Sequence, residues 1–363
     1  MRVGEHAAIA IDCRELTKPA LSALAQVLLS ILRHNPSHEY VLLSDLPLKP
    51  EFVPPGSSNL YHGRRNRGGV DVIRYHYWMK RVLQRMRTPF FYEIDHYALF
   101  RVKHTKTITT IHDLYVLEKL EKYALHHRLA YRLFIRATIR NSDAITVDSS
   151  FTAARLRHFF GNRVRASVLP MGIDDPSGVP VQPQRLSQKY ILSLGRLSTW
   201  KGSVRLAELY ARHLAGNGFS LVFAGRCDPR EASVKSRIED LARECEEIVW
   251  LDYVSDAERE YLLGHAELLC YPSRYDGFGM PPLEAALRMT PCLMNDIPVL
   301  REVTKGRGYY VDFYGNDDEV VRAMREMLTA PRDHARLDDL HDIAMEYAWD
   351  GYIDRLLSLV EGH

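Results

Sequence analysis

Short runs of apolar, β-branched and aromatic residues alternate along the chain with longer stretches in which apolar positions return every three or four residues. The runs AAIAID, EYVLLSD, PFFYEID, TKTITTIHD and DAITVD, then YILSLG, SLVFAG, EIVWLDY, LLCYP and PCLMND, predict strands. Helical patterns lie between many of them, and that alternation predicts parallel sheets covered by helices. The pattern breaks in GIDDPSGVPVQPQRLSQ, residues 172–188, where prolines, glycines and polar residues persist for longer than an ordinary loop. We expect an α/β protein of two Rossmann-like domains, residues 1–175 and 176–345, hinged there. A closing segment, 346–363, carries a helix from roughly Trp349 to Val360 with no further strand to feed, free to pack elsewhere, the first domain included.

A length of 363 residues agrees with two domains. A hydrophobic fraction of 46% and a charged fraction of 26% describe an ordinary globular chain. The net charge of +2 argues against a dedicated nucleic-acid binder. Five cysteines, with no C-x-x-C pair, suggest neither a disulfide framework nor a zinc knuckle, so a reducing cytoplasm is the expected home. The first residues lack a secretory apolar core, and the stretch from Leu21 to Leu32 is too short and interrupted to span a bilayer.

Chemistry concentrates in SRYDGFGMPPLEAALRMTPC, residues 273–292. Pro281 and Pro282 suit the first turn of a helix, and Glu284 is expected within that turn. Amides at the helix start attract anions, and the carboxylates of Asp276 and Glu284 accept from hydroxyls, a combination suited to a sugar or sugar phosphate. Gly277 and Gly279, with Phe278 between them, would let backbone touch the ligand. Ligands of parallel sheets bind at the carboxyl ends of strands, and LLCYPSRYDGFG and YILSLGRLSTWKG both run from a strand into such a loop. The second carries Gly195, Arg196 and Lys201, two cations at a strand end that fit a diphosphate. TITTIHDLYVL places His112 and Asp113 at the same end of a strand in the first half, where a histidine donates a hydrogen bond or holds charge. His126, His127 and His158 lack metal-like spacing, and no metal is expected.

With these motifs in order, the chain resembles the retaining glycosyltransferases of family 4. The resemblance runs nearly the whole length, through TIHDLYVL, DAITVDSSFTAARLRHFFG, VLPMGID, ILSLGRLSTWKG, LVFAG, WLDYVSDAEREYLLGHAELLCYPSRYDGFGMPPLEAA and IPVLREV. It implies the GT-B fold, two facing Rossmann-like domains with a cleft between them, the first on the acceptor side and the second binding the nucleotide sugar. Arg196 and Lys201 would hold the donor diphosphate, and Glu284 the ribose hydroxyls. Asp276, where the family usually has glutamate, would face the transferred sugar with the amides of Phe278 and Gly279. His112 would lie near the sugar and the departing phosphate, and the VWLDYVS segment would border the base. Negative charge growing on the diphosphate would be stabilised by Arg196 and Lys201. The chain has no D-x-D triplet to hold a divalent metal, so these two cations are the expected substitute.

Two departures stand out. No glycine occurs between Gly4 and Gly56, where the family has a glycine-rich loop after its first strand, and Met289, Thr290 and Pro291 replace its G-x-P. They leave two readings: a transferase moving a mannose- or glucose-type hexose to a glycan or lipid-linked acceptor in surface polysaccharide synthesis, or a scaffold of impaired activity that binds a glycan or a partner transferase. A nicotinamide oxidoreductase is disfavoured because no G-x-G-x-x-G follows either first strand. Arg128, Arg132, Arg136 and Arg140 recur every four residues beside Leu129, Leu133 and Phe134, a cationic ridge that either meets anionic lipid at the inner face of a membrane or is a solvated helix face.

Overall fold

The computed structural model describes residues 8–18, 21–65, 69–118, 124–176, 178–184, 186, 189–228 and 230–361. They fall into two compact units, Met1–Gly172 with Ala348–His363, and Ile173–Tyr347. Part of the proline-rich stretch expected as a hinge lies outside the described residues.

In the first unit β1 (Ile9–Asp12), β2 (Tyr40–Ser44), β3 (Ser58–Tyr61), β4 (Phe90–Glu93), β5 (Lys106–Thr110), β6 (Ala144–Val147) and β7 (Ser167–Val168) pair in the order β3-β2-β1-β4-β5-β6-β7. Every pairing is parallel. Each residue of β1, β2 and β4 is buried, the signature of central strands covered on both faces. The short edges β3 and β7 carry no apolar run and went unpredicted. Four long helices serve this sheet: α1 (Ala23–His34), α2 (Val70–Met86), α3 (Leu125–Asn141) and α4 (Ser150–Phe160). The hydroxyls of Ser22 and Ser149 start α1 and α4 by accepting from Ala25 and Thr152 amides. Tyr75, Met79 and Leu83 of α2 form one core with Ala10, Val41, Leu43 and Phe91, at helical spacing on one side and strand spacing on the other.

The second unit holds β8 (Tyr190–Leu194), β9 (Ser220–Ala224), β10 (Ile248–Trp250), β11 (Leu268–Tyr271), β12 (Cys292–Asn295) and β13 (Tyr309–Val311), in the order β10-β9-β8-β11-β12-β13. All are again parallel. Its helices are α5 (Ser203–His213), α6 (Ala232–Glu244), α7 (Asp256–His265), α8 (Met280–Leu287), α9 (Pro298–Val303), α10 (Asp317–Thr329) and α11 (His334–Met345). β13 was also missed; its three residues are only half-buried.

The last helix, α12 (Tyr352–Glu361), belongs to the first unit. It starts later than Trp349 because Gly351 takes φ 65°, which a continuing helix cannot accommodate. Asn35 anchors the return, donating to Trp349 O at 3.1 Å and accepting from the Ile353 amide at 3.3 Å. A Cβ on Gly172 would stand 2.5 Å from the Trp349 ring, so glycine admits the indole. Both sheets reverse direction of growth at one point, between β1 and β4 and between β8 and β11, and ligands of such sheets bind outside the carboxyl ends of the strands there. Among the described residues, no helix is long and apolar enough to cross a membrane.

Candidate functional site

The loops after β8 and β11 meet at the switch point of the second unit. The Arg274 amide donates to Trp200 O at 2.9 Å, and Gly202, at φ 73°, lies where a Cβ would come within 2.7 Å of Pro272 O. This closeness joins two sequence-predicted residues: Lys201 Nζ lies 2.5 Å from Asp276 Oδ1 and 2.7 Å from the Tyr271 hydroxyl. Tyr271 in turn donates to Asp276 Oδ2 at 2.9 Å. Burial first and then the Asp276 charge raise the Tyr271 phenol well above its usual value, so it stays a donor. The ammonium also sits 4.4 Å from the Trp200 ring centre and 5.0 Å from that of Tyr271.

Arg196 is not part of that group. It reaches Asp228 Oδ2 at 3.2 Å, while Arg230 grips the same carboxylate at 2.7 Å. Hydrogen bonds from Arg230 are the main reason the Asp228 carboxyl falls well below its usual range, and it stays ionised. With its side chain 52% exposed and its partner shared, Arg196 is available to an anion. Gly225, at φ 143°, lets the loops after β8 and β9 touch: a Cβ on it would stand 2.0 Å from the carbonyl oxygen of Gly195, itself at φ 123°. From the VWLDYVS segment, Trp250 donates to Gly225 O at 2.9 Å, and exposed Tyr253 lies under Arg226.

Gly279, at φ 100°, caps α8, and the amides of Phe278 and Gly279 have no acceptor among the described residues. Phe278 is buried edge-on against Tyr347. Because α8 starts at Met280, Glu284 is its fifth residue, in the second turn rather than the first. Its carboxylate is 4% exposed; Oε1 pairs with Arg259 of α7, while Oε2 is buried with no hydrogen-bond partner. Burial lowers the Arg259 pKa, but the Glu284 charge and hydrogen bond outweigh it and raise it overall. An unpartnered buried carboxylate oxygen is costly, and a ligand hydroxyl would relieve it.

In the first unit His112, just past β5, bridges two neighbouring strand ends: Nδ1 lies 2.7 Å from Asp148 Oδ2 and Nε2 2.9 Å from Ile94 O. Both partners only accept, so both ring nitrogens carry hydrogen and the imidazole is a cation. Burial would lower its pKa, but Asp148 reverses that and holds it at about 9. The side chain is 19% exposed, so a ligand meets an edge of the ring.

The switch point of the first unit was not foreseen. There Asp12, His76 and Glu93 bring three potential metal-ligating atoms within 4.8 Å of one another. Arg14 lies among the acids, its Nε 2.7 Å from Asp12 Oδ2 and its Nη2 3.6 Å from Glu93 Oε1. Tyr75 donates to Asp12 at 2.9 Å. Burial raises Asp12 to about 6 despite Arg14, and burial followed by Arg14 lowers His76 to about 3. The guanidinium supplies the positive charge that a metal ion would otherwise bring. The glycine-poor segment after β1 folds as a short 3-10 turn, Arg14–Thr17, that places it.

The expected four-arginine ridge is partly tied down. Arg128 donates to Leu117 O at 3.3 Å, and Arg132 to Phe159 O at 3.1 Å. Arg132, Arg136 and Arg140 remain exposed, beside exposed Leu125, Leu129 and Leu133. Sequence reasoning passed over Asp148 although it ends a predicted strand as His112 does, a signal that was present. Arg259 and Tyr271 gave none, since their roles depend on a helix and a loop folding onto them. A cavity of about 490 Å³ between α6 and β10 is lined by Val249 and Trp250 of the VWLDYVS segment but by none of the candidate residues of the loops after β8 and β11 or of α8.

Known families match both parts of the chain: Glycosyltransferase Family 4 over residues 34–175 and Glycosyl transferases group 1 over residues 180–340. Mannosylfructose-phosphate synthase of Agrobacterium fabrum is 24% identical over 82% of this chain and 70% of its own. The O-antigen chain mannosyltransferase RfbU of Salmonella typhimurium is 31% identical, over 36% of each chain. Among solved structures, Anabaena HepE in complex with UDP and glucose matches with a TM-score of 0.73 at 15% identity, over 99% of this chain and 100% of that one. That likeness shows the fold.

Proposed function

The chain belongs to the family 4, group 1 glycosyltransferases of GT-B fold, and from that premise we propose that it moves a mannose- or glucose-type hexose, with retention, from a nucleotide diphosphate sugar to a glycan or lipid-linked acceptor in surface polysaccharide synthesis. The observation that carries the reading is Glu284: a buried carboxylate with one oxygen held by Arg259 and the other unpartnered fits a donor's ribose hydroxyl. Curated relatives that are mannosyltransferases support the mannose choice, and an O-antigen enzyme among them supports the pathway class.

Charge orders the steps. Without donor, Lys201 is neutralised by Asp276. An arriving diphosphate competes for the ammonium, helped by Arg196 and by the amides of Phe278 and Gly279. Asp276 keeps the Tyr271 hydrogen bond and turns its other oxygen to a sugar hydroxyl. As the sugar-phosphate bond breaks, the two cations stabilise the growing negative charge, and the leaving phosphate accepts the acceptor's proton, so no protein nucleophile is required. Gly195 and Gly277 let backbone approach the donor. The resemblance assigns His112 to the sugar and departing phosphate, and Asp148 supports that role by keeping the imidazole charged. The exposed Arg132, Arg136 and Arg140 with the leucines of α3 support peripheral contact with the inner face of a membrane carrying the acceptor.

A panel of nucleotide sugars tests the reading, following thermal stabilisation and release of nucleoside diphosphate. One donor that stabilises and is consumed is the expected result. A Glu284→Ala protein that binds and consumes the donor as the wild type does would overturn the site assignment.

A further inference from the structure

A second concave site lies in the first unit, on α2. Arg74, Trp78, Arg81 and Arg85 follow at intervals of four, three and four residues and so share one helical face. Together with Arg64 and His62 from the segment after β3, they line a cavity of about 380 Å³, the size that encloses a small ligand. Its floor is aromatic: the Trp78 ring lies 5.6 Å from that of His62. Its rim is cationic. Arg74 has a single loose partner, Asp71 at 3.6 Å, and Arg64, Arg81 and Arg85 have no carboxylate partner among the described residues.

Gathering four exposed guanidinium groups around one hollow is unfavourable by itself, since like charges repel, Arg81 and Arg85 most directly at four residues apart on the helix. It becomes favourable when an anion enters, and guanidinium forks match the paired oxygens of a phosphate. An aromatic floor adds a face for a sugar ring, whose C–H groups lie against the negative π-surface. We propose that this cavity binds a phosphate ester, either on a saccharide or as a lipid headgroup, with the phosphate held by Arg64, Arg74, Arg81 and Arg85 and the attached group against Trp78. None of these residues takes part in the proposed donor site, so the inference stands apart from the transferase reading.

The test measures binding alone. Mannose 6-phosphate and mannose are titrated calorimetrically, and co-sedimentation is followed with phosphatidylcholine vesicles with and without phosphatidic acid. The wild type is expected to bind mannose 6-phosphate over mannose, or vesicles with the phosphatidic acid monoester over phosphatidylcholine alone, about tenfold or more tightly, and Arg81→Ala with Arg85→Ala to lose that preference. The soluble probe identifies a saccharide phosphate, and vesicles alone identify a headgroup. Arg196→Ala, in the second unit, should leave this binding unchanged, and stabilisation by UDP or GDP should persist in the α2 variant, which shows it folded. No preference for phosphate in the wild type overturns the proposal, as does equal binding by the α2 variant or loss of binding only in Arg196→Ala.

Discussion

The two sheets have the same strand order up to their switch points, yet they fill those points in opposite ways. Between β1 and β4 the crevice is closed by the chain's own charges, with Arg14 against Asp12 and Glu93, both nearly inaccessible. Between β8 and β11 the cation is Lys201, resting on Asp276 and Tyr271 at a partly open surface, with Arg196 exposed earlier on the same loop. A guanidinium sealed among acids is structural; an ammonium resting on one carboxylate is exchangeable. Identical topology therefore marks where a ligand can go, and the local charge arrangement decides whether one does.

The sharpest way to break the comparison is Arg14→Met. It leaves buried acids without their cation, and loss of about 3–5 kcal/mol of stability is expected from chemical denaturation. The sign with pH is definite. Asp12 titrates near 6 in the folded protein, above the ordinary 3.8, so its charged form is the costly one; the deficit of the variant should be smaller at pH 5 than at pH 8. An equal deficit at both would show that the cluster is not electrostatically coupled.

Lys201→Ala is the counterpart. If Lys201 serves the diphosphate, its removal should lower kcat/KM by about 10²–10³. Folding should tolerate the change better than in the Arg14 variant, because Asp276 keeps its bond from Tyr271. Loss of folding with little loss of turnover per folded molecule would make Lys201 a structural ion like Arg14, and the contrast would collapse.

These two sites differ as much in how they could be read from sequence. The loop after β11 was legible because Asp276, two glycines, two prolines and Glu284 stand within one contiguous stretch of unusual composition. Arg196 and Lys201 were legible for the same reason. The sealed crevice is assembled from β1, α2 and β4; Asp12 and Tyr75, 63 residues apart, meet only once the sheet exists. The missing glycine loop is visible in the sequence as an absence, but nothing in the sequence says that Arg14 occupies that place. Likewise ten apolar runs gave strands, while the short edges β3 and β7 and the half-buried β13 did not, because an edge need not be apolar.

His112 lies between the two extremes, buried like Arg14 but with an exposed edge. Its pKa is raised from 6.5 to about 9, so the Asp148 pair contributes stability that is complete below about pH 6.5 and lost as pH rises through about 9. Asp148→Asn should bring the His112 titration, followed by imidazole NMR, back toward or below 6.5. The melting-temperature gap to the wild type should be wide at pH 6 and narrow at pH 10. A His112 titration unmoved by this change would remove Asp148 as its support.

The smallest expected effect concerns the altered G-x-P after α8. Met289 takes φ 54°, in the left-handed region that a glycine enters freely and a side chain does not. The departure therefore keeps the backbone turn of a glycine and accepts its strain. Arg288 supports the turn, donating to the Glu260 carboxylate at 2.8 Å and to the main-chain carbonyl of Glu284 at 2.8 Å, which ties this end of α8 to the backbone of Glu284 and to α7. Met289→Gly should raise stability by up to about 1 kcal/mol, reduced by the packing that a half-buried methionine gives up. The same variant should leave donor affinity unchanged, since the turn is kept. A drop in stability together with weaker donor binding would show instead that the methionine side chain, and not the turn, holds Glu284 in place.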